Sequence, residues 1–474
     1  MEHCIVVRFF GARVAPAVAS AGAIFSSRSL VTFTKDGHIV PARWVPTLYF
    51  AEGLPFYAVG LMALIFYQRV GVSNEVIALT TSLLGLPWSL KPLWSPFLEM
   101  YKSRKFFVVC FEFLGGLSLA LLALCLPLPG YFRYSIALFS VAGFCSSSHD
   151  IVADGLYIAA LSSKQQAAFA GWQGGFYNVA RFFAQGGLII LAGFLEARMP
   201  VVRAWMIIFG GVGLILVLLA FYHVRVLPPG SEVRSAQSLR QVASTYWDVV
   251  VRFFRKPNIY LLLVFIFLYR AGEGQLVKIG PLFLKSPRLD HGLGLTTAQF
   301  GTIYGTLGTA AFIAGTVLGG YFTSWLGLKR AIIPLIVIMN LPNAAYVYLS
   351  AAMPGNYAAI SAALGIEMFG YGFGFVGVIL LMMQEIAPGK YQAAHYAFAN
   401  SLMNLGLIIP GAASGYIAKW LGYQKFFVWV LISAIPALVM ARFIPIGQAE
   451  RRNNDEAPPV ADQSETRIHT NASR

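Results

Sequence analysis

Charge is what this chain has least of. Asp, Glu, Lys and Arg make up 12% of its 474 residues, against roughly 25% in a soluble domain. With 57% hydrophobic residues the polar surface of a soluble fold cannot be built, so the chain reads as a polytopic membrane protein. Acid is scarcer than base: 20 Asp and Glu stand against 35 Lys and Arg, a formal net charge of +15. The basic residues fall in short loops and at the two ends, which is the pattern of membrane orientation, so no nucleic-acid partner is expected. Cysteine is also sparse. Cys4, Cys110, Cys125 and Cys145 make no metal spacing, and three lie in apolar segments, so they read as packing residues. No metal and no cofactor is expected. Alternating ten-residue strands are missing, which disfavours a barrel.

What is present is a series of long apolar runs. About twelve are long enough for the ~20 residues that cross a bilayer. They lie near 44–67, 75–98, 106–126, 134–160, 166–195, 203–226, 257–284, 297–325, 328–350, 356–386, 391–420 and 424–446. The predicted fold is an all-α membrane protein. Residues 1–43 form a basic, serine-containing arm, for which a transit-type leader, a disordered arm and a miscalled start stay open. Residues 227–256 form a basic linker, and 447–474 a polar, disordered tail. The loops holding Lys102, Arg104, Lys105, Lys164, the linker cations, Lys329, Arg330 and Lys390 are the richer in positive charge. The positive-inside rule then places both termini in the cytoplasm.

The chain also repeats itself. Ser163-Lys164-Gln165-Gln166-Ala167-Ala168 matches Gly389-Lys390-Tyr391-Gln392-Ala393-Ala394, and at the same offset Asn178 matches Asn404 and Arg104 matches Arg330. One offset aligning separated features predicts two parallel halves of six spans, 44–226 and 257–446. That is the architecture of the major facilitator superfamily, with a substrate site between repeats near the midplane.

Ionisable residues inside apolar spans are costly, about 2.5–3.5 kcal/mol each on the lenient insertion scale, and mark substrate or proton pathways by default. The densest knot is Cys145-Ser146-Ser147-Ser148-His149-Asp150-Ile151-Val152-Ala153-Asp154 in span 4. Asp150 and Asp154 are four apart and share a helix face. A proton or substrate site is one reading of them, a hydrogen-bond network pinning neighbouring helices the other. Glu52 sits beside Gly53 and Pro55 in span 1, Lys91 in span 2, Arg181 in span 5, Arg270 and Glu273 in span 7, and Glu367 in span 10. Arg270 and Glu273 have a spacing that permits an intrahelical pair. Glu99, Glu112 and Glu385 are expected at the interface. The glycines after Glu367 are expected as close-packing positions. Trp88, Trp94 and Trp172 admit stacking on sugar rings, against the commonplace role of tryptophan at an interface.

Gly53-Leu54-Pro55, Lys91-Pro92-Leu93-Trp94-Ser95-Pro96, the span 4 knot, and Tyr269-Arg270-Ala271-Gly272-Glu273 resemble the motifs of the AmpG-like muropeptide permeases. These belong to the peptide, acetyl-coenzyme A and drug transporter branch of the major facilitator superfamily. The resemblance spans roughly 44–446. It departs at His149, where the family has glutamine, at Glu99, where it has aspartate, and at Arg181, about one turn later than the family's arginine. The best-known members also carry two further carboxyl-terminal spans.

The resemblance implies a proton-coupled secondary transporter, not an enzyme. It would import a cell-wall sugar-peptide across a bacterial inner membrane, as a monomer whose partners are the solute, protons and the lipid bilayer. Siderophores, acyl-coenzyme A compounds and drugs, the last by export, are the alternative cargoes. Asp150-x-x-x-Asp154-Gly155 faintly resembles lipid phosphotransferase motifs. Those need further aspartates and an arginine upstream to hold two metal ions, and this sequence lacks them.

Overall fold

The computed structural model describes residues 40–98, 103–228 and 239–447. Most of the expected arm, nearly all of the expected tail, and Glu99 lie outside them. Among the described residues there is no strand. Also among the described residues, eleven helices are long and apolar enough to cross a membrane. Spans 1–6 are Pro41–Arg69, Asn74–Leu93, Arg104–Cys125, Tyr131–Ala160, Ser163–Glu196 and Val201–Val226. Spans 7–10 are Ile259–Lys285, Thr297–Leu326, Leu328–Ala352 and Tyr357–Ile386. The last helix, Gln392–Met440, runs for 49 residues. It is broken at Gly422, whose φ of 71° and ψ of 161° are not helical. Spans 11 and 12 are its two arms, which brings the count to the expected twelve.

Local chemistry explains where helices begin and where they loosen. Span 5 starts at a capping box of Ser162 and Gln165, and span 8 at one of Thr296 and Gln299. Each supplies two orphan backbone groups with partners. The Gln166 amide closes the preceding turn by donating to the carbonyls of Ile158 and Leu161. The first copy of the repeated loop motif is therefore a helix-stop and helix-start device. Pro55 interrupts span 1, which then widens into a π-helical turn at Ala58–Met62. Span 5 widens likewise at Phe182–Leu188. Such turns relax the hydrogen-bond ladder.

Contacts divide the chain into two compact units. The first contains the described residues of Met1–Ala58, Phe97–Ala184 and Trp205–Ala236. Its core joins Trp44, Leu48 and Tyr49 of span 1 to Val108 of span 3 and to Val152 and Leu156 of span 4. Spans 3 and 6 meet backbone to backbone: a Cβ on Gly116 would lie 2.7 Å from the Gly213 carbonyl oxygen. Small residues allow this approach, which is how helices pack tightly without a hydrophobic drive.

The second unit contains the described residues of Val59–Pro96, Gln185–Ala204 and Gln237–Arg474. The glycine run of span 10 packs as expected. Cβ atoms on Gly370, Gly372 and Gly374 would lie 2.4 Å from Ile338 O, 2.1 Å from Phe312 O and 2.3 Å from Met339 Cβ. Within this unit the later parts of spans 1, 2 and 5 pack against spans 7, 8 and 11. A helix at Leu239–Phe254 lies in the linker. Its Asp248 accepts from Arg252 and Tyr391, and those donors hold its carboxyl below the usual carboxylate range. Tyr391 belongs to the second copy of the loop motif, so the two copies have diverged: one caps helices, the other docks the linker.

Candidate functional site

Span 4 carries the knot, and the helix divides it between two faces. His149 and Asp154 are five residues apart, about 140° around the axis. Asp154 faces spans 1 and 5. It accepts from the Tyr49 hydroxyl at 2.9 Å and from the Gln173 amide at 3.1 Å. Tyr49 is set edge-on against Tyr157, ring centroids 5.9 Å apart, and Tyr157 donates to the Gln166 carbonyl. Tyr177 lies within electrostatic reach of Glu52 and Asp150. Glu52 is buried and Asp150 half-buried. Gly53 is a packing contact: its Cβ would lie 2.9 Å from that of Ala180. Arg181 ends the regular part of span 5, immediately before its π turn. Arg104, read from the sequence only as a loop charge, lies over span 4. A Cβ on Gly155 would come within 2.8 Å of its Nε. A glycine next to Asp154 was the available signal.

The other face of span 4 holds a cluster that the sequence reading missed. Glu112 is not interfacial as expected but 3% exposed. Its carboxylate meets His149 Nε2 at 3.0 Å and His223 Nδ1 at 2.8 Å. His223 Nε2 meets the Thr47 hydroxyl at 2.9 Å. Spans 1, 3, 4 and 6 thus converge on one carboxylate. An ion so far from water needs partners, and two imidazoles supply them.

In the second unit, Arg270 is 2% exposed. Its guanidinium lies 4.8 Å from the ring centroid of Phe375 and 5.7 Å from that of Tyr371. Its Nε and Nη1 have no hydrogen-bond partner among the described residues. The preceding Tyr269 donates to the Gly374 carbonyl at 2.6 Å, fixing span 7 on span 10. Glu273 and Glu367 are buried and both act on Tyr346. Lys91 is half-buried in a short 3-10 turn, Lys91–Leu93. It belongs to the second unit, whereas Asp150, Asp154 and Arg181 belong to the first. Trp172 stacks one face on Phe176, ring centroids 6.0 Å apart.

One end of the second unit opens into a cavity of about 740 Å³. Arg69, Lys285, Lys419 and Lys425 line it, with Glu75 and Asp290 as the acids. Ion pairs and hydrogen bonds tie its walls. Arg69 pairs with Glu196 at 3.0 Å, Lys419 with Glu75 at 2.6 Å, and Asn74 donates to Tyr423 at 2.8 Å. Thr297 donates to Glu196 at 2.6 Å. Excess positive charge in a concave site attracts anions.

Comparison with known proteins agrees with this architecture. The anhydromuropeptide permease of Escherichia coli strain K12 is 24% identical over 400 residues, covering 83% of this chain and 77% of that protein. Among solved structures, a mutant of the nucleoside transporter NupG superposes with a TM-score of 0.65 at 14% identity, over 84% of this chain and 97% of that one. The inward-open xylose transporter XylE from E. coli gives 0.63 at 12% identity, over 87% and 98%. The family model of the Major Facilitator Superfamily matches residues 47–409. With its helical spans, its internal repeat and its charges inside the membrane, the chain is a multi-pass membrane transporter and belongs to the Major Facilitator Superfamily.

Proposed function

We propose that this protein is a proton-coupled importer of a cell-wall-derived muropeptide or a similar anionic solute. It works by alternating access of two six-helix halves, 44–226 and 257–446, joined by the linker 227–256. The observation that carries the reading is Arg270: a buried guanidinium with two donors unfilled, held against aromatic faces. A planar fork of that kind binds a carboxylate in bidentate fashion. The peptide portion of a muropeptide supplies carboxylates, and its relative in E. coli bears the name of that substrate. Lys91 is a second cation for the solute, and Glu273 and Glu367 are acceptors for its amine or hydroxyl groups.

Coupling falls to span 4. Asp154 or Asp150 takes a proton from outside, which removes a negative charge that could pair with Lys91 or Arg181 and, at Asp154, weakens the bonds from Tyr49 and Gln173. The bundle then reorients and the proton leaves inward. Glu52 belongs to the same pathway. The cavity lined by Arg69, Lys285 and Lys419 faces outward in this orientation, with both termini in the cytoplasm of a bacterial inner membrane. It concentrates the anion before entry.

Uptake of labelled anhydromuropeptide into right-side-out and everted vesicles, with and without an imposed proton gradient, tests the reading. Gradient-driven accumulation in the right-side-out vesicles, lost in Arg270→Met, is expected. Transport of the label that ignores the gradient removes proton coupling. No transport, in vesicles that energise normally, removes the muropeptide and turns the search to siderophores and acyl-coenzyme A compounds.

A further inference from the structure

The cluster on Glu112 has no part in the reading above, which uses Asp154 and Arg270. Its hydrogens follow from its heavy atoms. The Thr47 hydroxyl has one proton, with the Trp44 carbonyl at 3.2 Å and His223 Nε2 at 2.9 Å as its two possible acceptors. When the proton goes to the carbonyl, the hydroxyl oxygen is left to accept from His223 Nε2. On the other side of the ring, Nδ1 lies 2.8 Å from both Glu112 oxygens, and an ionised carboxylate has no proton to give. In that arrangement both nitrogens of His223 donate, which makes it an imidazolium. His149 differs. Its Nε2 donates to Glu112, while its buried Nδ1 has no partner among the described residues, so a second N–H there is disfavoured. The sum in that arrangement is one imidazolium and one carboxylate, in side chains that are 0% and 1% exposed. If Thr47 turns its proton onto Nε2, His223 becomes neutral and the site is left with a net negative charge. The two arrangements differ by one proton and one hydroxyl rotation.

We propose that Glu112, His149, His223 and Thr47 form a one-proton binding site that loads and unloads during transport, with Thr47 as its positioning residue. The inference rests on the proton-coupled reading. Span 1 contributes Thr47, span 3 Glu112, span 4 His149 and span 6 His223. Other polar groups nearby are committed elsewhere: Tyr222 donates to the Arg43 carbonyl and Lys105 to the Leu227 carbonyl. Cys145 packs on Gly115, 3.4 Å from where its Cβ would lie. The charged groups acting on Glu112 are His223 and His149. A purely structural ion pair is well served by arginine, whose charge is fixed. Imidazole is the side chain whose ordinary titration falls between pH 5 and 8. Glu112 lies eight residues into span 3, about 12 Å from its start. His223 lies in the last turn of span 6. The proton therefore exchanges at the end of the first unit where span 3 begins and span 6 ends.

The test uses the full chain in lipid nanodiscs, with the histidine ring nitrogens followed by NMR from pH 5 to 9. In the wild type, His223 is expected to carry two N–H groups at pH 7 and to lose one as the pH rises. Thr47→Val removes one charge-assisted hydrogen bond, so the ratio of imidazolium to imidazole at a given pH falls about tenfold and the loss of the second N–H moves about one pH unit to the acid side. Thr47→Ser restores it. The pH profile of uptake moves to the acid side in the valine variant and returns in the serine variant. A His223 with a single N–H throughout, or one indifferent to Thr47→Val, overturns the site. If wild-type uptake is gradient-driven and His223 does not titrate, the site alone fails. If His223 titrates but uptake ignores the gradient, the coupling reading fails, and with it the loading during transport.

Discussion

The two units handle buried charge in opposite ways. In the first, Glu112 is surrounded by imidazoles and a hydroxyl, and Asp154 by a phenol and an amide. Every member of the Glu112 set can gain or lose a proton or redirect one. In the second, Arg270 lies on aromatic faces, and the cavity walls are tied by Arg–Glu and Lys–Glu pairs. Guanidinium does not titrate in proteins. The Glu112 set can change its charge and Arg270 keeps its own, which is the contrast behind the proposed split of protons and anionic solute between them, although the second unit also buries Glu273 and Glu367.

The sharpest way to break this comparison is to truncate the central group of each. Glu112→Ala leaves two imidazoles and no carboxylate in a dry site. Removing one partner of a buried pair costs roughly 3–5 kcal/mol, so a large fall in the unfolding midpoint in detergent is expected. Arg270→Met removes a cation with two unfilled donors and keeps an apolar body against Phe375 and Tyr371. A cation–π contact contributes about 0.5–2 kcal/mol, and the buried charge it offsets disappears as well. Stability should hardly change, while uptake falls at least tenfold. Equal destabilisation by both variants would mean that Arg270 is as structural as Glu112.

Much of this fold is legible in the sequence. Span length, hydropathy and a repeat at one offset are enough for twelve helices. The glycine run of span 10 is readable because close packing is the commoner use of glycine between membrane helices. The candidate site is legible only in part. The charges of spans 4 and 7 stand out because hydrocarbon penalises them wherever they are. Partnership is different: His223 and Glu112 are 111 residues apart, and nothing local marks them as a pair. An ionisable group inside a span is functional by default, and that rule covers both. Yet Glu112, flanked by Phe111 and Phe113, looks interfacial, and His223 lies close to a span end. Asp150, His149 and Asp154 look like one knot because they are close in sequence, but a helix turns them apart.

Packing gives a second, smaller contrast. Gly372→Ala in span 10 drives a Cβ to 2.1 Å from the Phe312 carbonyl oxygen. Backbone cannot yield as a side-chain tip can, and overpacking costs about 1–3 kcal/mol. Gly174 in span 5 has nothing within 4 Å of its Cβ position. There, Gly174→Ala gains helix propensity, up to ~1 kcal/mol. Opposite shifts in the unfolding midpoint are expected from the same chemical change. If both variants unfold early, span 5 is packed in a way this structure does not contain.

The smallest effect lies outside the membrane, on Lys256 between the linker helix and span 7. Its ammonium donates to the carbonyls of Ile386, Ala387 and Pro388, the end of span 10. These include orphan acceptors of a helix C-terminus, where a cation is favourable. Burial nevertheless lowers its pKa to about 8 from an ordinary 10.5. Between those values the unfolded chain holds a proton that the folded chain has released, so this group makes stability rise as pH rises through that window. Below pH 8 both states are protonated and the contribution is flat. Lys256→Arg cannot titrate there. Its unfolding midpoint, followed from pH 7 to 10, should lack the wild-type increment above pH 8 while matching it below. Identical slopes would show that the ammonium at this joint is solvated, and that the linker helix is held mainly at the start of span 11, where Asp248 meets Tyr391 and Val249 meets His395.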